Sequence, residues 1–183
     1  MRSRTLLSTF ALSLALAAPV LAQSSGPAAT PGAPATQPYP LYGAVAGIAV
    51  PAGRLGDDHA AGYALGGLVE FAVPNQQYAL RAEGMFQRFA LKKGRTSGRD
   101  VNLFSIGPTI VYQTNTAPTQ TYLLGGIAIY KATDEGTRPG FNFGAGIGFP
   151  LADFASLAEA RLHVMLAEGK PVLTIPLSIG VKF

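Results

Sequence analysis

Apolar residues alternate with small or polar residues along positions 173–183. Leu177, Ile179 and Phe183 fall on one row, and Ser178 and Gly180 fall on the other. A period of two predicts a β-strand with one apolar face. Earlier segments of about ten residues repeat the pattern. The predicted strands are 41–50, 61–73, 78–90, 101–113, 121–130, 141–149, 157–166 and 172–183.

The connections between these segments are of two kinds that alternate along the chain. Short connections, the first two rich in turn-forming residues, are predicted at 74–75, 115–119 and 151–156, and more charged ones at 51–60, 91–100, 131–140 and 167–171. An up-and-down barrel with turns on one side of a membrane and loops on the other has this organisation. The predicted fold is therefore all-β, an eight-stranded antiparallel up-and-down transmembrane β-barrel.

The residue types on the two rows predict which face points outward. The less apolar rows carry many glycines and serines, which suit the narrow interior of an eight-stranded barrel. The apolar rows carry aromatic residues eight positions apart, which corresponds to about 20 Å along the membrane normal. These pairs are Tyr63 and Phe71, Tyr78 and Phe86, Phe104 and Tyr112, Tyr122 and Tyr130, and Phe141 and Phe149. They match the two aromatic girdles of a membrane barrel.

The first forty residues differ from the rest of the chain. Arg2 and Arg4 precede an apolar run at 6–18 and small residues near 22, which predicts a secretory signal peptide over 1–22. Residues 23–40 are rich in Pro and Ala and predict a disordered leader. The barrel domain is then 41–183. Without the two arginines the net charge falls from +4 to +2, which gives no indication of nucleic-acid binding.

The ending IPLSIGVKF resembles the closing strand of the small outer-membrane β-barrel proteins, the OmpA transmembrane domain and the OmpX/Ail group. The segment FNFGAGIGF at 141–149 is similar to the sixth strand of that family. In the family, the barrel assembly machinery reads a C-terminal aromatic residue and the apolar residues before it. The resemblance implies this role for Leu177, Ile179, Val181 and Phe183, and it implies location in the outer membrane of a double-membraned bacterium.

Charged residues also fall on the inward rows. By alternation Glu70, Arg81, Glu83, Glu159 and Arg161 all point into the lumen. Because an isolated buried charge is very costly, these side chains are expected to pair. We predict a Glu–Arg network that plugs the barrel. The alternative is a narrow pore for ions or small hydrophilic solutes through the same residues.

Catalytic residues are not predicted. Glu159 and His163 lie four apart on the inward face of the seventh segment, and the related lipid A 3-O-deacylases use a His–Ser–Glu arrangement near this part of the chain. Those enzymes carry a serine just after the histidine, whereas residues 164–166 here are Val-Met-Leu. The nucleophile is therefore missing. Ser156 and Ser178 belong to no motif, and His163 is read as part of the lumen network.

Other chemistry is weakly indicated. His59 lies beside Asp57 and Asp58, but a metal site would need further ligands. The chain has no cysteine and no phosphate-binding glycine loop, so no cofactor is predicted. The loop LKKGRTSGRD allows two interpretations. It is either a solvated rim, or a surface that contacts lipopolysaccharide or another polyanion. Its cations are Lys92, Lys93, Arg95 and Arg99.

The predicted function is a non-enzymatic outer-membrane barrel with a structural or surface-interaction role. Expected partners are outer-membrane lipid, lipopolysaccharide and, during biogenesis, the barrel assembly machinery, and we expect a monomer that binds no nucleic acid. A secreted, soluble, lipocalin-like barrel that binds an apolar ligand is a second alternative, which requires the apolar rows to face inward. Pro108 and Pro176 lie within predicted strands, so each is expected at a bulge or a weak pairing.

Overall fold

The chain forms a closed antiparallel barrel in which each strand pairs with the next and β8 pairs with β1. A computed structural model describes residues 40–94, 98–114, 119–133, 135–151 and 154–183. The predicted signal peptide and nearly all of the predicted leader lie outside these residues. The strands are β1 (Leu41–Ala52), β2 (Gly62–Ala72), β3 (Tyr78–Phe89), β4 (Val101–Gln113), β5 (Gln120–Ala132), β6 (Gly136–Leu151), β7 (Phe154–Met165) and β8 (Val172–Lys182). The predicted fold is confirmed.

Alternate residues of each strand point outward, and these outward rows are mainly apolar. Ile48, Ile127 and Ile179 are 59%, 68% and 68% exposed, whereas Arg81 is 1% exposed. The outer surface of the barrel thus consists mainly of apolar side chains, and charged side chains lie inside it. This is the reverse of a soluble barrel that buries its apolar rows, so the lipocalin-like alternative is wrong for this chain.

The aromatic prediction is right for four strands and wrong for β5. Outward-facing pairs are present on β2, β3, β4 and β6, where Tyr63 and Phe71 are typical, at 45% and 46% exposed. Tyr122 and Tyr130 instead point into the lumen and are 5% and 0% exposed. Both rows of β5 are apolar, and the outward one carries Leu123, Ile127 and Ile129 in place of the tyrosines.

The loops are shorter than predicted at two places. β5 and β6 extend into the predicted 131–140 loop, and only 133–135 remain between them. Gly136 begins β6 with φ 70°, a backbone conformation that favours glycine in a tight hairpin. β6 and β7 also extend into the predicted 151–156 connection. A short helix that the sequence did not predict, α1 (Gly53–Asp58), follows β1.

Pro108 and Pro176 each lie at an interruption in a strand ladder. The β4–β5 register runs through Ile106↔Ile129 and resumes at Thr109↔Gly126, so it skips Pro108. The β7–β8 register likewise runs from Ala160↔Leu177 to His163↔Thr174 and skips Pro176. Proline has no N–H to donate to a ladder, which accounts for weak pairing at both positions.

Candidate functional site in the barrel lumen

Arg81 is the centre of a hydrogen-bonded group at the end of the lumen where β1 begins and β8 ends. Its Nε and Nη2 donate to Glu70 Oε2 at 3.0 and 2.8 Å, and its Nη1 donates to Glu159 Oε1 at 2.5 Å. Lys182 Nζ donates to the other oxygen of Glu70 at 3.0 Å. Tyr122 donates its hydroxyl to Glu159 Oε1 at 2.8 Å, and its ring lies 5.8 Å from the Arg81 guanidinium carbon.

Arg161 organises a second group beside the first. Its Nη1 donates to Glu83 Oε2 at 2.6 Å, and its Nη2 donates both to Glu83 Oε1 and, at 2.5 Å, to Asn142 Oδ1. Thr109 donates its hydroxyl to Glu83 Oε1 at 3.0 Å. The contact with Glu83 is bidentate, the geometry that most favours a guanidinium–carboxylate pair.

The two groups form one network because their charges lie close to each other. Arg81 Nη1 is 4.0 Å from Glu83 Oε2, and Arg161 Nη1 is 3.7 Å from Glu159 Oε2. All five charged residues that the sequence placed in the lumen therefore belong to it. With Lys182 included, three carboxylates face three cations, and the network has no net charge. We call this set of six side chains the lumen network.

Several members of this site were missed by the sequence reasoning. Lys182 shares the inward row of β8 with Gly180 and Ser178, so alternation alone could have identified it. Tyr122 could have been found from the neighbouring strand, because Gly146, its register partner, leaves the space that the ring fills. Thr109 and Asn142 carry no comparable signal, since polar residues on inward rows are common.

A second polar layer lies between this network and the loop end of the barrel. In β3, β7 and β8 the inward residue nearest the loops is apolar: Phe89, Met165 and Val172. The next inward residue toward the middle of the barrel, two positions away along each strand, is polar: Gln87, His163 and Thr174. Both amide atoms of Gln87, Nε2 of His163 and Oγ1 of Thr174 are buried without a hydrogen-bond partner among the described residues.

His163 contacts Tyr130 rather than catalytic groups. Its Nδ1 is 3.2 Å from the Tyr130 hydroxyl, and the two rings meet edge to face at 5.9 Å between centroids. Glu159 lies on the same inward row but is bound by Arg81 and Tyr122. Within the described ranges, neither a serine hydroxyl nor a carboxylate forms a hydrogen bond with His163.

The loops at the far end of the barrel are joined to one another. Arg54 of α1 pairs with Glu135 of the β5–β6 hairpin, and Arg138 pairs with Glu168 at 2.6 Å. His59 Nε2 donates to the carbonyl of Arg99 at 3.1 Å. These contacts join the first three loops to one another and the β7–β8 loop to β6. A cavity of about 190 Å³ remains beneath α1, floored by Val101, Ala132 and Val172.

The cations of the basic loop are only partly available to a ligand. Lys92 Nζ donates to the carbonyl of Gly56 at 2.6 Å, and Arg99 Nη2 donates to the carbonyl of Thr133 at 3.5 Å. Lys93 is exposed. Arg95 lies outside the described residues. The loop thus holds the mouth together through two of the residues that were predicted to contact an anion.

The same loop is fixed to β3 by Asp100. Its carboxylate accepts hydrogen bonds from the backbone N–H of Leu91 at 3.1 Å and from Arg88 Nη2 at 3.0 Å. The Leu91 N–H, followed by the Arg88 guanidinium, holds the pKa of the Asp100 carboxyl below its ordinary value.

The proposed assembly residues form the outward row of β8. Leu177 and Ile179 are 49% and 68% exposed, Val181 is half-buried, and Phe183 is 65% exposed. Tyr42 and Phe183 exchange backbone hydrogen bonds of 2.9 and 2.8 Å, so the row reaches the end of the β1–β8 seam.

Metal-binding clusters and membrane-spanning helices are both absent from the described part of the chain. Among the residues with described positions, no group of three or more His, Cys, Asp or Glu side chains is arranged to hold a metal ion. No helix within the described ranges is long and apolar enough to cross a membrane.

Comparison with known proteins identifies structural but not sequence relatives. No protein-family model and no curated protein matches the chain. Neisserial surface protein A (NspA) superposes with a TM-score of 0.62 at 20% identity, over 78% of this chain and 94% of that one. Ail, the attachment invasion locus protein of Yersinia pestis, gives a TM-score of 0.51 at 18% identity, over 79% and 99%.

The backbone structure of the Yersinia pestis outer membrane protein Ail in a phospholipid bilayer nanodisc gives a TM-score of 0.50 at 18% identity, over 79% of this chain and 99% of that one. At these identities the likeness concerns the fold alone. The chain therefore has the fold of small eight-stranded outer-membrane β-barrels, and at the level of the fold the resemblance predicted from its closing strand is confirmed.

Proposed function

We propose that this protein is a non-enzymatic integral outer-membrane barrel with a structural or surface-interaction role, and that its lumen does not conduct. The observation that carries this proposal is the combination of an apolar outer wall with a charge-balanced network across the lumen. An apolar wall is stable in lipid, and closed barrels leave no strand edge unpaired there.

The closed lumen argues against the pore alternative. Arg81 and Arg161 are 1% and 2% exposed, and seven strands contribute side chains to the hydrogen bonds around them. Moving an ion past these groups would require their pairs to break, which leaves buried charges uncompensated. The apolar layer of Phe89, Met165 and Val172 adds a second barrier toward the loops.

The partners in this proposal follow from the surface. The barrel assembly machinery binds the outward row of β8 together with Phe183. Outer-membrane lipid contacts the apolar wall, and lipopolysaccharide contacts the loop end. The barrel acts as a monomer, since every strand is hydrogen-bonded to two neighbours in the closed barrel and no strand edge is left to pair with another copy.

Two measurements test the proposal. Outer-membrane fractionation with heat-modifiable gel mobility should show a folded membrane barrel, and a soluble periplasmic protein without a mobility shift would refute the location. Planar-bilayer recordings of the purified barrel should show no stable open steps. Steady conductance that disappears when the barrel is thermally unfolded would establish the pore alternative instead.

A further inference from the structure

A groove of about 390 Å³ runs along the outer wall over β4, β5 and β6. Its lining is apolar and lies mainly on the outward rows of the three strands, with Leu166 just beyond the end of β7. The main contributors are Ile106, Pro108, Ile127, Ile129, Pro139 and Phe141. In the β5–β6 register Ile129 is opposite Pro139 and Ile127 is opposite Phe141, so the groove follows this seam.

Two features of the sequence shape the groove. Pro108 interrupts the β4–β5 ladder opposite Ile127, so fewer backbone hydrogen bonds join the two strands along that side. Pro139 presents a compact ring where a longer side chain would fill the space. From Ile127 to Lys131, at its loop end, the groove extends about 13 Å along β5. This length is comparable to that of one extended, medium-length acyl chain.

A cation that no described residue pairs lies at the loop end of this groove. Lys131 follows Ile129 on the outward row of β5 and is paired in register with Thr137. It is exposed, and no described residue forms a hydrogen bond or ion pair with it. The nearby outward-facing Arg88 is bound to Asp100, and Arg138 is bound to Glu168.

We propose that the groove binds one acyl chain of lipid A and that Lys131 contacts the phosphate of the same molecule. An apolar channel capped by an exposed cation is complementary to an amphiphile with an anionic head. The hydroxyl of Thr137, beside Lys131, is a second donor to that phosphate. This inference rests on the proposed outer-membrane location, which places the loop end of the barrel in the lipopolysaccharide leaflet.

Native mass spectrometry of the detergent-solubilised protein tests the phosphate contact. Wild-type protein is mixed with lipid A, dephosphorylated lipid A or phosphatidylglycerol. Lys131→Gln should retain about fivefold less lipid A than wild type, the effect of one cation near an anionic lipid surface. Lys170→Gln removes an exposed cation of the β7–β8 loop that does not itself line the groove, and it should retain lipid A as wild type does.

A second pair of variants tests the groove itself. Ile127→Trp fills the groove and should reduce lipid A retention. Ile110→Trp adds the same ring to the outward row of β4, outside the groove lining, and should not. Equal retention by Lys131→Gln and wild type would overturn the inference, as would equal retention of dephosphorylated lipid A. If the protein retains phosphatidylglycerol to the same extent as lipid A, the assignment to lipid A is refuted.

The failure of this inference can be separated from the failure of the proposed function. Each variant is first checked for heat-modifiable mobility and outer-membrane fractionation. A folded outer-membrane barrel that does not discriminate among the three lipids overturns only the groove assignment. A wild-type protein that does not fractionate with the outer membrane overturns the location and the groove assignment together.

Discussion

The ring of Tyr122 lies against the backbone of Gly146 on the neighbouring strand. A Cβ at Gly146 would overlap the ring carbon that bears the hydroxyl. That hydroxyl donates to Glu159, so the missing side chain on β6 allows a residue of β5 to reach the lumen network.

We therefore expect Gly146→Ala to destabilise the barrel by about 1–3 kcal/mol, the usual cost of overpacking a filled interior. Gly148→Ala is the matched control, because it lies on the same inward row and a Cβ there would be 3.8 Å from its nearest neighbouring atoms. Urea unfolding in lipid vesicles measures both changes. Equal stability of the two variants would show that the Tyr122 ring moves aside without cost.

Removal of one member of the lumen pair between Arg161 and Glu83 should be far more costly than removal of both. Arg161→Met leaves the partly buried Glu83 carboxylate without its bidentate partner, and we expect a loss of about 3–5 kcal/mol of unfolding free energy. Arg161→Met with Glu83→Met should recover most of that loss. A double-mutant cycle by urea unfolding gives the coupling, and additive losses would contradict a direct pair.

Two buried threonines should respond differently to loss of the hydroxyl. Thr109→Val removes a hydrogen bond to the Glu83 carboxylate, and we expect it to cost about 1.5–3 kcal/mol. Thr174→Val removes a buried hydroxyl that no described residue pairs, so the change should be neutral or stabilising. Both are at most 2% exposed, so burial does not separate them. Similar losses at both positions would indicate a bound partner for Thr174.

The contact between Asp100 and Leu91 should be lost in acid. The pKa of Asp100 is lowered in the folded protein, so the contact is fully present above the ordinary value of 3.8 and disappears as the pH falls through the lower folded value. The amide NMR shift of Leu91 should titrate with a midpoint below 3.8. Asp100→Asn should abolish that titration. A midpoint above 3.8 would show that the carboxyl is not stabilised by these donors.

The barrel and its inward charges follow from periodicity because a strand alternates its side chains strictly. Glu70 and Arg81 could be placed in the lumen by counting positions along their strands. The same rule fails for Tyr122 and Tyr130, since a strand with two apolar rows carries no signal for which row faces the lumen. That choice depends on space left by Gly140 and Gly146 on the next strand.

Other features could not be predicted from the sequence, each for a different physical reason. The helix α1 is six residues long and has no side-chain cap, so no local pattern marks it. The role of Lys92 depends on a carbonyl 36 residues away, at Gly56. The sequence predicts weak pairing at Pro108 and Pro176, but the groove beside Pro108 depends on the register of three strands.

The two ladder interruptions also divide the wall mechanically. Between the β4–β5 break at Pro108 and the β7–β8 break at Pro176 lies a panel of three strands, and the other five form a second panel. Within each panel the strand registers are continuous. Because fewer ladder hydrogen bonds join the strands at these two seams, we expect lateral compression by the bilayer to deform the barrel there first.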